Sequence, residues 1–266
     1  VPGSLIILGA GYVALELGQA FLRLGTAVTL LQRRPRLLPD LDERLATSLQ
    51  ERLAAEGMRF ALGTTVQRVE RTAGGVRVVA LRAGREEIVE AEALLVATGR
   101  TPNTESLDLA VAGIATDERG APLVDSTLRT TNPRVYAAGD VTRLPQFVSV
   151  AAAAGRLAAR NALLGEERTL NLRAVPAVVF TDPQVATVGF SVAEAAAEGF
   201  SVVTGFAPAA AIARERVNLQ DAGGVLVVAD AETDRLLGVQ AVASAAGELI
   251  DAATLAVASR LTLTDL

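Results

Sequence analysis

The chain has 266 residues, half of them hydrophobic, 21% charged and 3% aromatic, with a formal net charge of −5. That balance fits a soluble globular protein with room for two or three cores. Its acidity argues against nucleic acid as a partner, and no apolar run reaches the ~18 residues of a membrane span, so a cytoplasmic setting is expected. There is no Cys, His or Trp, and all 25 basic residues are Arg. Soft-metal sites and Ser-His-Asp or Cys-His catalysis are thereby excluded, and any chemistry must ride on a cofactor.

Ser4 to Leu8 is a short apolar run ending in Gly9-Ala10-Gly11, the pattern of a buried parallel strand. Apolar positions from Tyr12 to about Leu24 predict a helix closed by Gly25, and Ala27 to Leu31 predicts a second strand. An Arg- and Pro-rich loop leads to a second helix from about Asp42 to Glu56, where Asp40, Asp42 and Glu43 read as first-turn carboxylates rather than an acid–base pair. Alternating patterns between Met58 and Thr98, punctuated by Gly74-Gly75 and Gly84, predict an antiparallel meander that returns through Leu94–Ala97 to the parallel sheet. Residues 1–98 therefore read as an α/β, Rossmann-like nucleotide-binding domain with a β-meander. Further on, the spacing predicts a strand at Val135–Ala138, a Gly139-Asp140 turn and an Ala-rich helix from Val148 to Leu164. Strands at Val178–Phe180, Val225–Val228 and Leu236–Val242 precede a helix from about Gly247 to Ser259, and a further helix is expected to start before Leu266.

Three features bear on chemistry. Gly9-x-Gly11-x-x-Ala14 lies between a buried strand and a helix, where the first Gly permits a tight turn and the second lets a pyrophosphate reach backbone N–H groups. A plain tight turn is the bland alternative. At the end of the second strand, where an acidic residue would select NAD, the chain has Gln32-Arg33-Arg34 with Arg36 close by. Guanidinium groups grip a 2′-phosphate through paired donors, so NADP is favoured over a merely solvated basic loop. Asp140 is either a turn residue or a carboxylate placed for ligand hydroxyls, and Ala151–Gly155 is either a good helix former or a helix start that a flat ligand can approach.

Gly9-Ala10-Gly11-Tyr12-Val13-Ala14-Leu15-Glu16, Ala97-Thr98-Gly99-Arg100-Thr101-Pro102-Asn103-Thr104 and Tyr136-Ala137-Ala138-Gly139-Asp140 resemble the class I pyridine nucleotide–disulfide oxidoreductases. Pro145 to Gly155, Val175 to Gly189, Gly238 to Val242 and Ala246 to Ile250 extend the resemblance along the chain, nearest to the mercuric reductase branch. The resemblance implies NADP and FAD as cofactors. Gly9, Gly11 and Val13 would bound the NADP pyrophosphate, Gln32, Arg33 and Arg34 the 2′-phosphate side, and Gly99 and Val178 the nicotinamide side. Glu16 would sit near the nicotinamide, with Tyr12 as a movable gate beside the flavin. Arg100, Gly139, Asp140, Gln146, Phe147 and Val148 would line FAD. Residues 99–173 would be the C-terminal part of the FAD-binding domain, and 174–266 a truncated α+β interface domain forming a homodimer.

Hydride would pass from NADPH to FAD, then through a cysteine pair, most fittingly to Hg(II). A dihydrolipoamide dehydrogenase or glutathione reductase relative is the alternative within the same class. The resemblance also places the FAD fingerprint and the redox cysteines before Val1, and a last helical segment after Leu266. The chain is therefore expected to be inactive and flavin-free by itself. A non-catalytic NADP-binding and dimerisation module is the reading from another class.

Overall fold

A computed structural model describes residues 1–266. The chain forms two compact units, one made of Val1–Thr98 with Pro176–Leu266 and the other of Gly99–Val175.

In the first unit, β1 (Ser4–Leu8), β2 (Ala27–Gln32), β3 (Arg59–Leu62) and β7 (Ala93–Val96) make a parallel sheet in the order β3-β2-β1-β7. β1 is central, with Ile6 and Ile7 wholly buried, as its unbroken apolar run requires. Helices α1 (Tyr12–Arg23) and α2 (Glu43–Ala55) are the crossovers. Asp42 caps α2 by accepting the Arg44 N–H at 3.0 Å, as its place before the apolar periodicity implies. β4 (Thr64–Thr72), β5 (Gly75–Arg82) and β6 (Arg85–Ala91) form the expected antiparallel meander, with two-residue turns where Thr72 faces Gly75 and Arg82 faces Arg85. Its inner face packs Val78 and Ala80 against Ile6, Leu8 and Leu31.

The last part of the chain returns to the same unit. β8 (Ala177–Val179), β9 (Gln184–Gly189), β10 (Val202–Pro208), β11 (Gly224–Asp230) and β12 (Leu236–Ala243) form an antiparallel sheet ordered β10-β11-β12-β9-β8, joined by α4 (Val192–Ala197) and α5 (Ala213–Val217) and followed by α6 (Ala246–Ala258). β12 is buried along its whole length. Its one long polar side chain, Gln240, accepts the Asp42 N–H at 2.7 Å and donates to the Asp40 carbonyl at 3.1 Å. That amide ties the entry of α2 to the sheet. Leu41, Leu45 and Leu49 from the first stretch and Val185, Leu226, Leu237 and Val242 from the last belong to one core. Each such leucine contributes about 1.5–3 kcal/mol by leaving water.

The second unit is built differently. α3 (Val148–Leu164) is its one regular helix, beginning and ending where the Ala-rich pattern predicts. Val135–Ala138 is not a strand: the segment makes only an isolated bridge between Arg129 and Tyr136. The Thr130 N–H donates to the Val135 carbonyl at 2.9 Å and the Ala137 N–H to the Leu128 carbonyl at 3.1 Å, and the pairing with residues 128–130 goes no further. Similarly, the expected final helix is a single 3₁₀ turn at Leu263–Asp265, closed on Thr262 by the Asp265 carboxylate. Phe180 lies just beyond β8 rather than within it. No helix is long and apolar enough to cross a membrane.

Candidate functional site

The first unit gathers one half of the predicted residues at the carboxyl ends of β1 and β2, where open α/β sheets take their ligands. Gly9 and Gly11 differ in what demands them. Gly9 has φ +107°, and a Cβ there would lie 2.4 Å from the Ala97 carbonyl oxygen, so the fold itself requires glycine. Its N–H donates to Leu31 O at 2.9 Å, locking the turn to the end of β2. Gly11 has φ −83°, open to any residue, and a Cβ would meet nothing within 4 Å. The packing of the chain does not explain glycine there, and the backbone N–H groups are open to close approach from outside. Gly11 is the N-cap of α1, no side chain caps that helix, and its first turn has no acidic residue. The positive end of the helix dipole therefore has no carboxylate of the chain's own in its first turn. Val13, on the first turn, is 47% exposed.

Arg33 and Arg34 lie exposed after β2 with no carboxylate bound to them, while Gln32 turns its amide oxygen back to the Arg33 N–H at 3.0 Å. Arg36 does not join the pair. It reaches Glu43 at 3.7 Å and the Pro39 carbonyl at 3.4 Å, at the entry to α2. Two uncommitted guanidinium groups beside an open helix end fit a dinucleotide bearing an extra phosphate.

Tyr12 and Glu16 follow on α1. Burial, with the Asp40 carboxylate second, pushes the Tyr12 phenol above its ordinary range. The phenol borders a cleft of about 360 Å³ lined by Gly11, Asp40, Val179, Ser191 and Gln240. Glu16 is not a free surface carboxylate: its Oε1 accepts the Phe180 N–H at 2.9 Å. This bond ties Glu16 to the residue that follows β8, the strand carrying the half-buried Val178. Sequence reasoning missed the residues that complete this junction. Gln19, 4% exposed, exchanges two hydrogen bonds with the Asp182 backbone, and Arg23 bonds both Glu56 and Asp182. A polar Gln next to the small and apolar residues that α1 buries, Ala14, Leu15 and Gly18, was the available signal.

In the second unit Gly99, Arg100, Asp140 and Gln146 come together, with Gly139 in the turn that carries Asp140. The Arg100 guanidinium pairs with the Asp140 carboxylate, and the Gln146 amide donates to the Asp140 carbonyl at 3.3 Å. Thr142, buried, fixes the turn by donating to the Gly139 carbonyl at 2.7 Å. Gly99, Arg100, Asp140, Thr142 and Gln146 line an open pocket of about 610 Å³ with Asp117 and Arg143. The Arg143 hydrogen bond, against the opposing cost of burial, holds the Asp117 carboxyl below its usual range. Phe147 is the N-cap of α3 with no side-chain bond to cap it, and Val148 is 88% exposed beside it. A carboxylate for hydroxyls, a guanidinium for phosphate and a bare helix start suit a long, polyhydroxylated dinucleotide such as FAD.

Comparison with known proteins shows the family. The pyridine nucleotide-disulphide oxidoreductase family matches residues 1–155, and the dimerisation domain of the same family matches residues 175–266. A mercuric reductase of Bacillus cereus is 45% identical over the whole chain, which spans 42% of that protein. A mercuric reductase of Staphylococcus aureus is 44% identical, with 49% of its length covered. A dihydrolipoyl dehydrogenase of Thermus scotoductus is 41% identical, with 58% covered. Among solved structures, LpdA of Mycobacterium tuberculosis superposes with a TM-score of 0.89 at 33% identity, over 99% of this chain and 57% of that one. A Cu(II) complex of the HOCl-induced flavoprotein disulfide reductase of Escherichia coli gives 0.87 at 33% identity, over 98% of this chain and 58% of that one. The chain spans about half the length of the curated relatives it matches. With both of its segments matched in order and identity sustained from end to end, the chain belongs to the pyridine nucleotide-disulphide oxidoreductase family.

Proposed function

We propose that this chain supplies the NADP-binding part (1–98), a flavin-contacting part (99–173) and the homodimer-forming part (174–266) of a flavoprotein that reduces Hg(II) to Hg(0). The observation that carries the nucleotide reading is Gly11: a glycine that neither backbone angle nor packing demands, at an uncapped helix start, next to unpaired Arg33 and Arg34. Gly9, Gly11 and Val13 would receive the pyrophosphate on backbone N–H groups. Arg33 and Arg34, beside Gln32, would hold the 2′-phosphate. Tyr12, Glu16 and Val178 would flank the nicotinamide. Arg100, Gly139, Asp140, Gln146, Phe147 and Val148 would hold FAD.

When bound, the flavin supplies a two-electron relay between the nicotinamide hydride and a thiol pair, which this chain, having no cysteine, does not contain. Overall, NADPH and Hg(II) would give NADP⁺, Hg(0) and one proton. The chain's own part is to orient and shield. Asp140 and Arg100 position hydroxyls and phosphate, and Glu16 offers a carboxylate acceptor to a carboxamide N–H. Relatives named mercuric reductase at 44–45% identity favour mercury as substrate. The dihydrolipoyl dehydrogenase at 41% favours a disulfide as the second reading.

The nucleotide assignment is tested by calorimetric titration of the chain with NADPH and NADH, alongside the double variant Arg33→Ala, Arg34→Ala. Loss of two charge-assisted phosphate contacts is expected to weaken NADPH by roughly 10- to 100-fold while NADH changes little. Equal loss for both nucleotides would make the arginines structural. In an enzyme joining this chain to its thiol-bearing portion, Hg(II)-dependent against lipoamide-dependent NADPH oxidation separates the two substrates.

A further inference from the structure

We propose that Gln19 and Arg23 are positioning residues: they clamp the segment after β8 onto α1 and so set the gap into which the nicotinamide enters. This inference rests on the dinucleotide reading of the Gly9–Gly11 turn. Positions 16, 19 and 23 fall on one face of α1. Each of the three side chains holds the segment from 180 to 182. Glu16 Oε1 accepts the Phe180 N–H at 2.9 Å. Gln19 Oε1 accepts the Asp182 N–H at 2.8 Å, and its Nε2 donates back to the Asp182 carbonyl at 2.9 Å. Arg23 donates to Asp182 Oδ2 at 2.7 Å and to Glu56 at 2.9 and 3.0 Å.

A reciprocal amide pair fixes both distance and orientation, which a single bond would not. It is made by a side chain only 4% exposed, so the junction has no slack to give to water. The segment held this way begins with Phe180 and follows directly on β8, which carries the half-buried Val178. Phe180 is 71% exposed, an unusual place for a large aromatic ring, with Val13 and Leu17 exposed on the adjoining helix. The clamp thus lines up an apolar wall, a carboxylate acceptor and the start of the pyrophosphate-binding helix. Releasing it would let the wall shift while leaving Gly11, Arg33 and Arg34 in place.

The test compares two probes: NADPH, and adenosine 2′,5′-bisphosphate, which keeps the 2′-phosphate and lacks the nicotinamide. Both are titrated calorimetrically into the 266-residue chain, as wild type, Gln19→Leu, Arg23→Leu and Arg23→Lys. NADPH is expected to bind Gln19→Leu roughly tenfold more weakly and Arg23→Leu roughly threefold more weakly, with the bisphosphate within about twofold throughout and Arg23→Lys recovering part of the loss. Parallel loss for both probes, or no loss for either, would overturn the clamp as a positioning device. Equal affinity of the unaltered chain for both probes would overturn it as well, because the nicotinamide would then contribute nothing. Failure of the unaltered chain to bind the bisphosphate brings down the dinucleotide reading and the inference with it. Should Gln19→Leu fail to fold, Arg23→Leu decides, since Arg23 and Asp182 are both about half exposed and their loss is tolerated by the fold.

Discussion

The two units hold themselves together by different means. The first buries a broad apolar core, in which α2 leucines meet strands from the far end of the chain. The second has a small core of Leu128, Ala154 and Ala158, edged by half-buried Val124, Tyr136, Leu144 and Leu157, and many of its polar side chains bond to backbone. Asp125 accepts from Thr127 and Arg129, Asp117 from Arg119 and Ala121, and Asn132 donates to Ala112. Apolar burial is forgiving of sequence detail and gives a stiff platform. Side-chain-to-backbone bonding gives little excess stability but can fold an irregular chain around a pocket.

The largest effect expected from this difference is that of Leu45→Ala, about 3 kcal/mol, because a wholly buried leucine is removed from the shared core. Urea denaturation with hydrogen exchange checks it: protection should fall in both 1–98 and 176–266, the two stretches that share the core. Loss confined to 1–98 would mean the core is not held in common. Asn161→Ala should cost about 2 kcal/mol, since the side chain bonds the Thr127 carbonyl, the Arg168 carbonyl and the Arg168 N–H from a buried position. Here faster exchange should be confined to 99–175.

A smaller effect concerns Glu56. Burial, the largest single influence, would raise its pKa, but hydrogen bonds from Arg23 and Gln19 prevail and hold it below the usual value. A depressed carboxyl stabilises the fold above its unfolded pKa, about 4.3, and that stabilisation is lost as pH falls through the lower folded value. Glu56→Gln should therefore cost about 1 kcal/mol at neutral pH and flatten the acid limb of a stability–pH curve. An unchanged acid limb would remove Glu56 from the account. The smallest change in stability, under ~0.5 kcal/mol, is expected for Gly11→Ala, whose new methyl meets nothing. The same variant should bind NADPH at least ~10-fold more weakly. A large drop in melting temperature would show that the fold, not the ligand, wants glycine there.

The first unit was largely legible in the sequence because its rules are local. A buried run, a glycine pair and a 3.6-residue periodicity place β1, α1 and α2 within a residue or two. Glycines at 74–75 and 84 mark the hairpins of the meander. The Gln32-Arg33-Arg34 segment lies where a strand-end reading puts it, but Arg36 was engaged elsewhere by Glu43. Less was legible where partners lie far apart. The Glu16–Phe180 and Gln19–Asp182 bonds join residues more than 160 positions distant, and no spacing rule reaches so far. β10 escaped notice, as did the short α4, although Ser191 and Glu194 form a capping box that the Ser-x-x-Glu pattern announces. In the second unit, Val135–Ala138 looks like a strand by composition, but it meets residues 128–130 at a single bridge too short to make a ladder.

The shared core has a consequence for biosynthesis. Leu45 and Leu49 leave the ribosome long before β11 and β12, the strands that cover them. At roughly 5–20 residues per second, that apolar surface stays uncovered for on the order of ten seconds or more. A nascent chain in this condition is a client for holding chaperones. Its yield in a cell should depend on their supply more than the stability of the finished fold would suggest.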